Sequence, residues 1–303
     1  MTLKTRLFVL KKHIENSPGM SPRTKKVLKH VLLLALGLLI GLFLSIPFVW
    51  MFYCAFKQTT KDIYVMPPSM INFFYFENFK QFIKDTEFLN QLKNTIIVVL
   101  TSMTLSVGAT IFVAYGFARF NGRGKKIFFG LLLSTMMLPW VVTMVPAYIL
   151  FANLGMVENE AFPWMPLVIP SIGGSAYNIF LLKQFIEGIP RELDEAAKID
   201  GAGSFKILIK ILLPNCLPIL ATIVIFSFIG VWGDYIGPSI YLTNPHNYTL
   251  ALGIQYLKNQ SAAGVMNWPL IMAGCAVYSI PIIIIFATCQ KAYVRGAIGS
   301  AIK

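Results

Sequence analysis

The stretch 191–214, RELDEAAKIDGAGSFKILIKILLP, holds the densest grouping of residues that could do chemistry in this 303-residue chain. Pro190 suits a first helical position, and Glu192, Asp194 and Glu195 fill the first turn, where the helix dipole favours anions. Leu193, Ala196 and Ala197, at i, i+3 and i+4, predict a narrow face of small residues. The alanines add helix propensity and let the helix lie deep in a groove. Gly201 suits a left-handed C-terminal cap, Ser204 suits the cap of a second helix, and Lys206 and Lys210 share one side of it. By themselves these residues describe a protein-docking helix or an ordinary amphipathic helix at a membrane surface.

Other chemistries have little to stand on. No G-x-x-x-x-G-K-[ST] occurs, so the chain does not bind ATP by that route. Cys54, Cys216, Cys275 and Cys289 sit singly in or beside apolar runs, without metal-ligand spacing or a disulfide pattern, and read as packing residues. His13, His30 and His246 are scattered, so no His-based metal site is visible.

The elements around the stretch are membrane spans. The chain is 56% hydrophobic and only 13% charged, with a mean hydropathy of +0.67, a balance that fits a polytopic membrane protein. Its net charge of +13 is an orientation signal, because no basic-aromatic interleaving resembles a nucleic-acid groove. Charge-free runs predict six spans at 31–54, 94–118, 127–150, 166–182, 211–232 and 267–289. The first is too long for a signal peptide and lacks a cleavage site, so it is read as retained; Gly37 and Gly41 give it a GxxxG.

Lys and Arg concentrate in 1–30, 119–126, 183–210 and 290–303, and are sparse in 55–93, 151–163 and 233–266. The positive-inside rule then places both ends in the cytoplasm. Trp50, Trp164, Trp232 and Trp268 fall at outer ends, as an aromatic belt would, with Trp140 alone mid-span. Pro139 and Pro146 predict a kinked third span. Pro170, Ser171, Gly173, Gly174 and Ser175 make the start of the fourth unusually polar. Pro238, Asn244, Pro245 and Asn247 argue against a seventh helix in 233–266 and favour a partly embedded loop over an outer cavity. No span as drawn has an ionisable residue in its interior, which an ion-coupled carrier needs; Asp234 is nearest. A pathway with neither an ion site nor a nucleotide site conducts passively or borrows energy from another subunit.

The opening stretch resembles the EAA signature of permease subunits of bacterial ABC importers. Glu195-Ala196-Ala197, Gly201, Ile211, Leu213 and Pro214 fill every position of E-A-A-x3-G-x9-I-x-L-P, and Asp200 and Ala202 complete D-G-A. AYGFARFNGRGKK at 114–126, residues 138–146, and FIGVWGDYIGPSIYLTNPHNYTLALGI at 228–254 are similar to the carbohydrate-uptake, maltose-type branch. One departure is Trp232-Gly233-Asp234-Tyr235, where that branch commonly has W-N-[DE]-F.

The resemblance implies an all-α integral membrane protein with six transmembrane helices, the type I ABC importer permease fold. Its parts would be a basic cytoplasmic segment (1–30), a first transmembrane helix (31–54), an extracytoplasmic segment (55–93), a permease core (94–289) with its coupling loop at 188–214, and a cytoplasmic tail (290–303). It further implies a second homologous permease, two ATP-binding subunits and an extracytoplasmic solute-binding protein, in the bacterial inner membrane. ATP and Mg would sit on the ATP-binding subunits; this chain would bind no cofactor and catalyse nothing. Glu195, Ala196, Ala197 and Gly201 would form the joint with an ATP-binding subunit, and Arg191, Leu193, Asp194, Asp200 and Ala202 would surround it. The implied cargo is a sugar or oligosaccharide. Sugars stack on aromatic faces, so Trp140, Trp232, Tyr235 and Tyr278, with Asp234, are candidates for its pathway, although packing or an interfacial belt explains each aromatic simply. The alternatives are a permease for a polyol, glycerol phosphate or peptide, and an ATP-independent channel or carrier.

Overall fold

The computed structural model describes residues 22–64, 75–157, 159–259 and 266–301. Most of the basic N-terminal segment and the last two residues lie outside them. Among the described residues the structure is helical, without a strand. Five helical stretches are long and apolar enough to cross a membrane, and a bent pair makes a sixth.

Helix α1 (Pro22–Ala55) runs along α11 (Trp268–Ala301), and most of its length is exposed until Cys54 and Ala55 are covered. Its 34 residues reach about 50 Å at ~1.5 Å each, more than a ~30 Å hydrocarbon core requires. The segment after it is built from small polar ties. Thr59 and Asp62 close a capping box, and Thr60 Oγ1 donates to Met266 O (2.7 Å) while accepting from the Trp268 amide (3.2 Å). On α2 (Glu77–Asp85), Asn78 Nδ2 donates to the carbonyls of Ala55 and Lys57, both at 2.8 Å. Phe82 of α2 is fully buried against Gly274 of α11, where an added Cβ would come within 2.6 Å of the ring.

The central element is α3 (Phe88–Arg119). It packs against the fourth and fifth spans and against the loop that follows the fifth. Its buried positions, among them Gln91, Asn94, Thr95, Ser102, Thr110, Ala114 and Ala118, recur at helical spacing. They are small or amide-bearing, as suits close helix contact inside a bilayer. The expected single third span is instead two helices, α4 (Lys125–Thr135) and α5 (Trp140–Asn153), bent by 97°. Pro139 is responsible: it supplies no N–H and drives its predecessor out of helical backbone. Pro146 stays within α5. Trp140 begins the second helix of the pair, at the bend in its middle.

The polar start of the fourth span is a real interruption. Short turns at Met165–Val168 and Ile169–Gly173 precede α6 (Ala176–Glu187), which Ser175 caps. Gly174 has φ +71, and a Cβ there would press on Thr110 of α3, so glycine permits both the turn and the contact. The span continues to Glu187, beyond the expected 182, and so includes Lys183. That lysine, near the end of the stretch, is buried and paired with Glu187 at 2.7 Å. The pairing one turn apart and the Phe129 ring 4.5 Å from its ammonium offset the loss of hydration.

After α7 (Glu192–Ile199) the chain passes through Ser204–Ile207, a π-helical turn at Leu208–Leu212 and Leu213–Asn215 before α8 (Leu217–Trp232). The fifth span thus starts later than the expected 211. Gly203, extended at φ −70 and ψ 163, takes the cap position expected of Ser204. Residues 233–259, the described part of this connection before Met266, fold as α9 (Ile236–Tyr241), a turn at Pro245–Asn247 and α10 (Leu250–Asn259). No spanning helix forms there; Asn94 Nδ2 holds the turn through the carbonyls of His246 (2.9 Å) and Tyr248 (3.1 Å).

Replacing Gly274 by valine should destabilise the bundle by about 1–3 kcal/mol, because the buried Phe82 ring cannot yield without loss of packing. Gly37→Val, where a Cβ meets nothing within 4 Å, should be neutral. Thermal unfolding of the two variants in detergent checks the pair.

Candidate functional site

Two places concentrate polar groups. The first is α7 and its cap. Glu192, Asp194 and Glu195 occupy its first turn and Lys198 its last, each favourable to the helix dipole. At the C-terminus the Ala202 amide bonds Ala197 O (2.9 Å) and the Gly201 amide bonds Lys198 O (3.0 Å), the paired bonds of a Schellman cap. Gly201 has φ +75, the left-handed backbone expected of it.

The helix has two faces, and they divide the residues expected to couple. Arg191, Leu193, Glu195, Ala196, Asp200 and Gly201 are exposed, and Ile199 is 87% exposed. Asp194 and Ala197 turn inward, and Ala202 is half-buried. The grouping of Leu193, Ala196 and Ala197 on one face is therefore split. Ala197 joins the buried cluster of Ala114, Tyr115, Ala118, Ile207 and Leu208, while Leu193 and Ala196 stay outside with Ile199. Asp194 Oδ2 lies 2.7 Å from Arg119 Nε, with both side chains nearly buried. Arg119 Nη2 also donates to Ile189 O at 2.9 Å.

The second place is a cavity of about 490 Å³ between α3, the start of the fourth span and α8. Ser106, Ser171, Ser175, Tyr177, Asn178 and Ser227 supply its polar lining, and Asn178 Nδ2 donates to Ser227 Oγ at 3.3 Å. Tyr177 and Phe226 place their rings 6.2 Å apart at its edge. A lining of hydroxyls, an amide and aromatic faces, without a charge, suits a neutral solute rich in hydrogen-bonding groups. The sequence signal for this site was the polar run at 170–175, which reaches Asn178 one turn later.

The cavity lining contains none of the five residues expected in the pathway. Trp232 is only 3% exposed, so it does not belong to an interfacial belt. It stacks on Phe228 at 5.3 Å and donates from Nε1 to Tyr278 O (3.3 Å), while Tyr278 Oη returns a bond to Trp232 O (2.7 Å). These two residues lock α8 to α11. Asp234 is a structural cap: Oδ1 accepts from the amides of Ile236 and Gly237, both at 3.0 Å. It also lines a smaller void of about 90 Å³ beside Thr95 and Thr249. Trp140 and Tyr235 are exposed.

Residues 106–298, which include α7 and the polar lining of the cavity, match the family described as binding-protein-dependent transport system inner membrane component. The chain belongs to that family. Relatives in this transport family include the maltodextrin transport system permease protein MdxG of Bacillus subtilis, 32% identical over 73% of this chain and 77% of its own length. The galactooligosaccharides transport system permease protein GanQ of the same organism is 33% identical over 73% of this chain and 77% of itself. In fold, the chain is similar to one in the crystal structure of a bacterial ABC transporter involved in the import of the acidic polysaccharide alginate. The TM-score is 0.73 at 21% identity, covering 91% of this chain and 99% of that one. The six-span, all-α permease fold is thus the architecture of this family member.

Gly201→Val tests the cap alone, since a Cβ there meets nothing within 4 Å and only the positive φ opposes it. The strain should cost about 1–2 kcal/mol and appear as faster amide exchange at Ala202 with the rest of the bundle unchanged. Equal exchange in both proteins would show that the turn tolerates a side chain.

Proposed function

We propose that this chain is the permease subunit of an ATP-driven importer, and that it translocates a sugar or oligosaccharide delivered by an extracytoplasmic binding protein. The observation that carries the reading is the exposed face of α7. Leu193, Ala196 and Ile199 stand clear of a turn whose inner face is packed and ion-paired. A rigid turn presenting apolar side chains to solvent suits insertion into a partner cleft. Arg191, Glu195, Asp200 and Gly201 would rim that contact; Asp194 and Ala197 would set its position from behind.

The partner is an ATP-binding subunit, present twice, which carries the ATP, the Mg and the hydrolysis; this chain has the mechanical share. ATP binding draws the turns together and opens the pathway toward the binding protein, and hydrolysis resets it. The basic residues of 119–126 and 183–210 support a cytoplasmic position for this end, in a bacterial inner membrane with both termini inside. A second permease fits the break between α4 and α5. Met137 is 83% exposed there, and irregular backbone at membrane depth needs protein or water beside it.

The cargo class follows from two sources. The relatives' names specify maltodextrin and galactooligosaccharides. The uncharged cavity at Asn178 and Ser227 offers neutral hydrogen-bonding groups and aromatic faces, which suit sugar rings better than a phosphate or a charged peptide terminus. The candidate pathway thereby moves from Trp232, Asp234 and Tyr278 to this lining.

Uptake of labelled oligosaccharide by vesicles carrying the whole transporter tests both sites. Ile199→Asp should abolish ATP-dependent uptake without preventing membrane insertion. Asn178→Leu should raise the KM for the sugar about tenfold, the loss expected of a buried hydrogen-bonding group. Uptake that persists after the ATP-binding subunit is inactivated would favour an ATP-independent carrier.

A further inference from the structure

We propose that Arg119 and Asp194 are a positioning pair that makes α7 and α3 one rigid lever, so that movement of the turn reaches the cavity through the central helix. The inference rests on the coupling role given to α7 above. Arg119 is the last residue of α3, and its side chain is 6% exposed against 11% for that of Asp194. It grips the turn at two points, the Asp194 carboxylate (2.7 Å) and Ile189 O (2.9 Å), the latter ahead of α7. Tyr115, one helical turn back, donates from Oη to Ser204 O at 3.1 Å, beyond the α7 cap. One helix thus holds the turn before, within and after α7. Ala114, Ala118 and Ala197 are all buried between the two, small enough to keep the backbones close.

Folding alone gives little reason for charges here. A buried ion pair loses hydration, and well-packed apolar residues of similar volume are often at least as stable. Asp194 Oδ1 has no hydrogen-bond partner, and Arg119 Nε lies close to Oδ2 without a well-directed bond. What a charge pair adds is register, because one placement of α7 brings the carboxylate to the guanidinium. Ser106 of the cavity lies on the same unbroken helix, about 20 Å from Arg119 at a rise of ~1.5 Å per residue. A shift of α7 therefore moves one cavity wall directly.

The test uses the complete transporter with its ATP-binding subunits and reads solute moved per ATP hydrolysed, per intact complex. Arg119→Gln and Asp194→Asn should each leave hydrolysis running while this ratio falls about tenfold, a usual size for the coupling between two sites. The reversed pair, Arg119→Asp with Asp194→Arg, should restore most of it. Reduced assembly with an unchanged ratio would mean a merely structural pair and overturn the proposal. If the single variants do not assemble, the reversed pair decides: a coupled complex supports the lever, and an uncoupled or unassembled one overturns it. Ile199→Asp is run beside them, and full coupling there would sink the role of α7 itself, separately from the fate of the pair.

Discussion

A bilayer interior gives the peptide backbone no water, so each place where a helix stops must be closed by protein. This chain stops helices repeatedly within its spans, and most of the closures can be followed bond by bond. At Gly173 and Gly174 the chain turns against Thr110, and the Gly174 amide bonds Ser171 O at 3.1 Å. After Trp232 the Gly233 amide bonds Ile229 O, and the Asp234 carboxylate accepts the next free amides. Between α4 and α5 the amides of Met136, Met137 and Leu138 bond back three residues, but the side chains there remain exposed. The first two breaks are completed by this chain. The third leaves apolar side chains uncovered by this chain, a surface open to the second permease proposed above.

The same constraint explains why α3 is central. It is continuous through 32 residues while the fourth and fifth spans beside it are interrupted, and more than half of its buried side chains are small or amide-bearing. Thr95 Oγ1 receives the Leu250 amide at 2.8 Å at one end, and Arg119 holds α7 at the other. The interrupted fourth and fifth spans thereby have an unbroken one to register against. The locking pair of Trp232 and Tyr278 does similar work between α8 and α11, through bonds from each ring to the other's backbone.

Much of this was legible in the sequence, and the parts that were not share a cause. Charge-free runs located the spans, and the spacing from Glu195 to Pro214 located α7, because helix length and cap chemistry are local properties. Gly201 was readable for the same reason: one residue type tolerates that φ. The roles of Trp232, Asp234 and Tyr278 depend on which atoms another helix brings near, and aromatic or acidic character alone does not distinguish a lock or a cap from a ligand contact. The inward turn of Asp194 was hidden because its partner lies 75 positions earlier in the chain. Lys183 was placed outside the fourth span by its charge, whereas a pair one turn away allows it to remain inside. The cavity was half visible: Ser171 and Ser175 stood out, but Ser106 is one of several hydroxyls along the second span and Ser227 a single one in an apolar run, and only packing gathers them.

The distribution of charge gives the last step. The buried ion pair Arg119–Asp194 and the pair of buried Lys183 with exposed Glu187 both lie at the α7 end, while the residues lining the 490 Å³ cavity carry no charge. A fixed charge in a narrow pathway holds a counter-ion or demands one, and either would tie passage of a neutral solute to ion movement. Charges at the α7 end lie off that lining and do no such harm, and the Arg119–Asp194 pair fixes the geometry of a turn. On the proposed function, selectivity and drive would occupy opposite stretches of one helix, a neutral stretch lining the cavity and a charged terminus holding the turn.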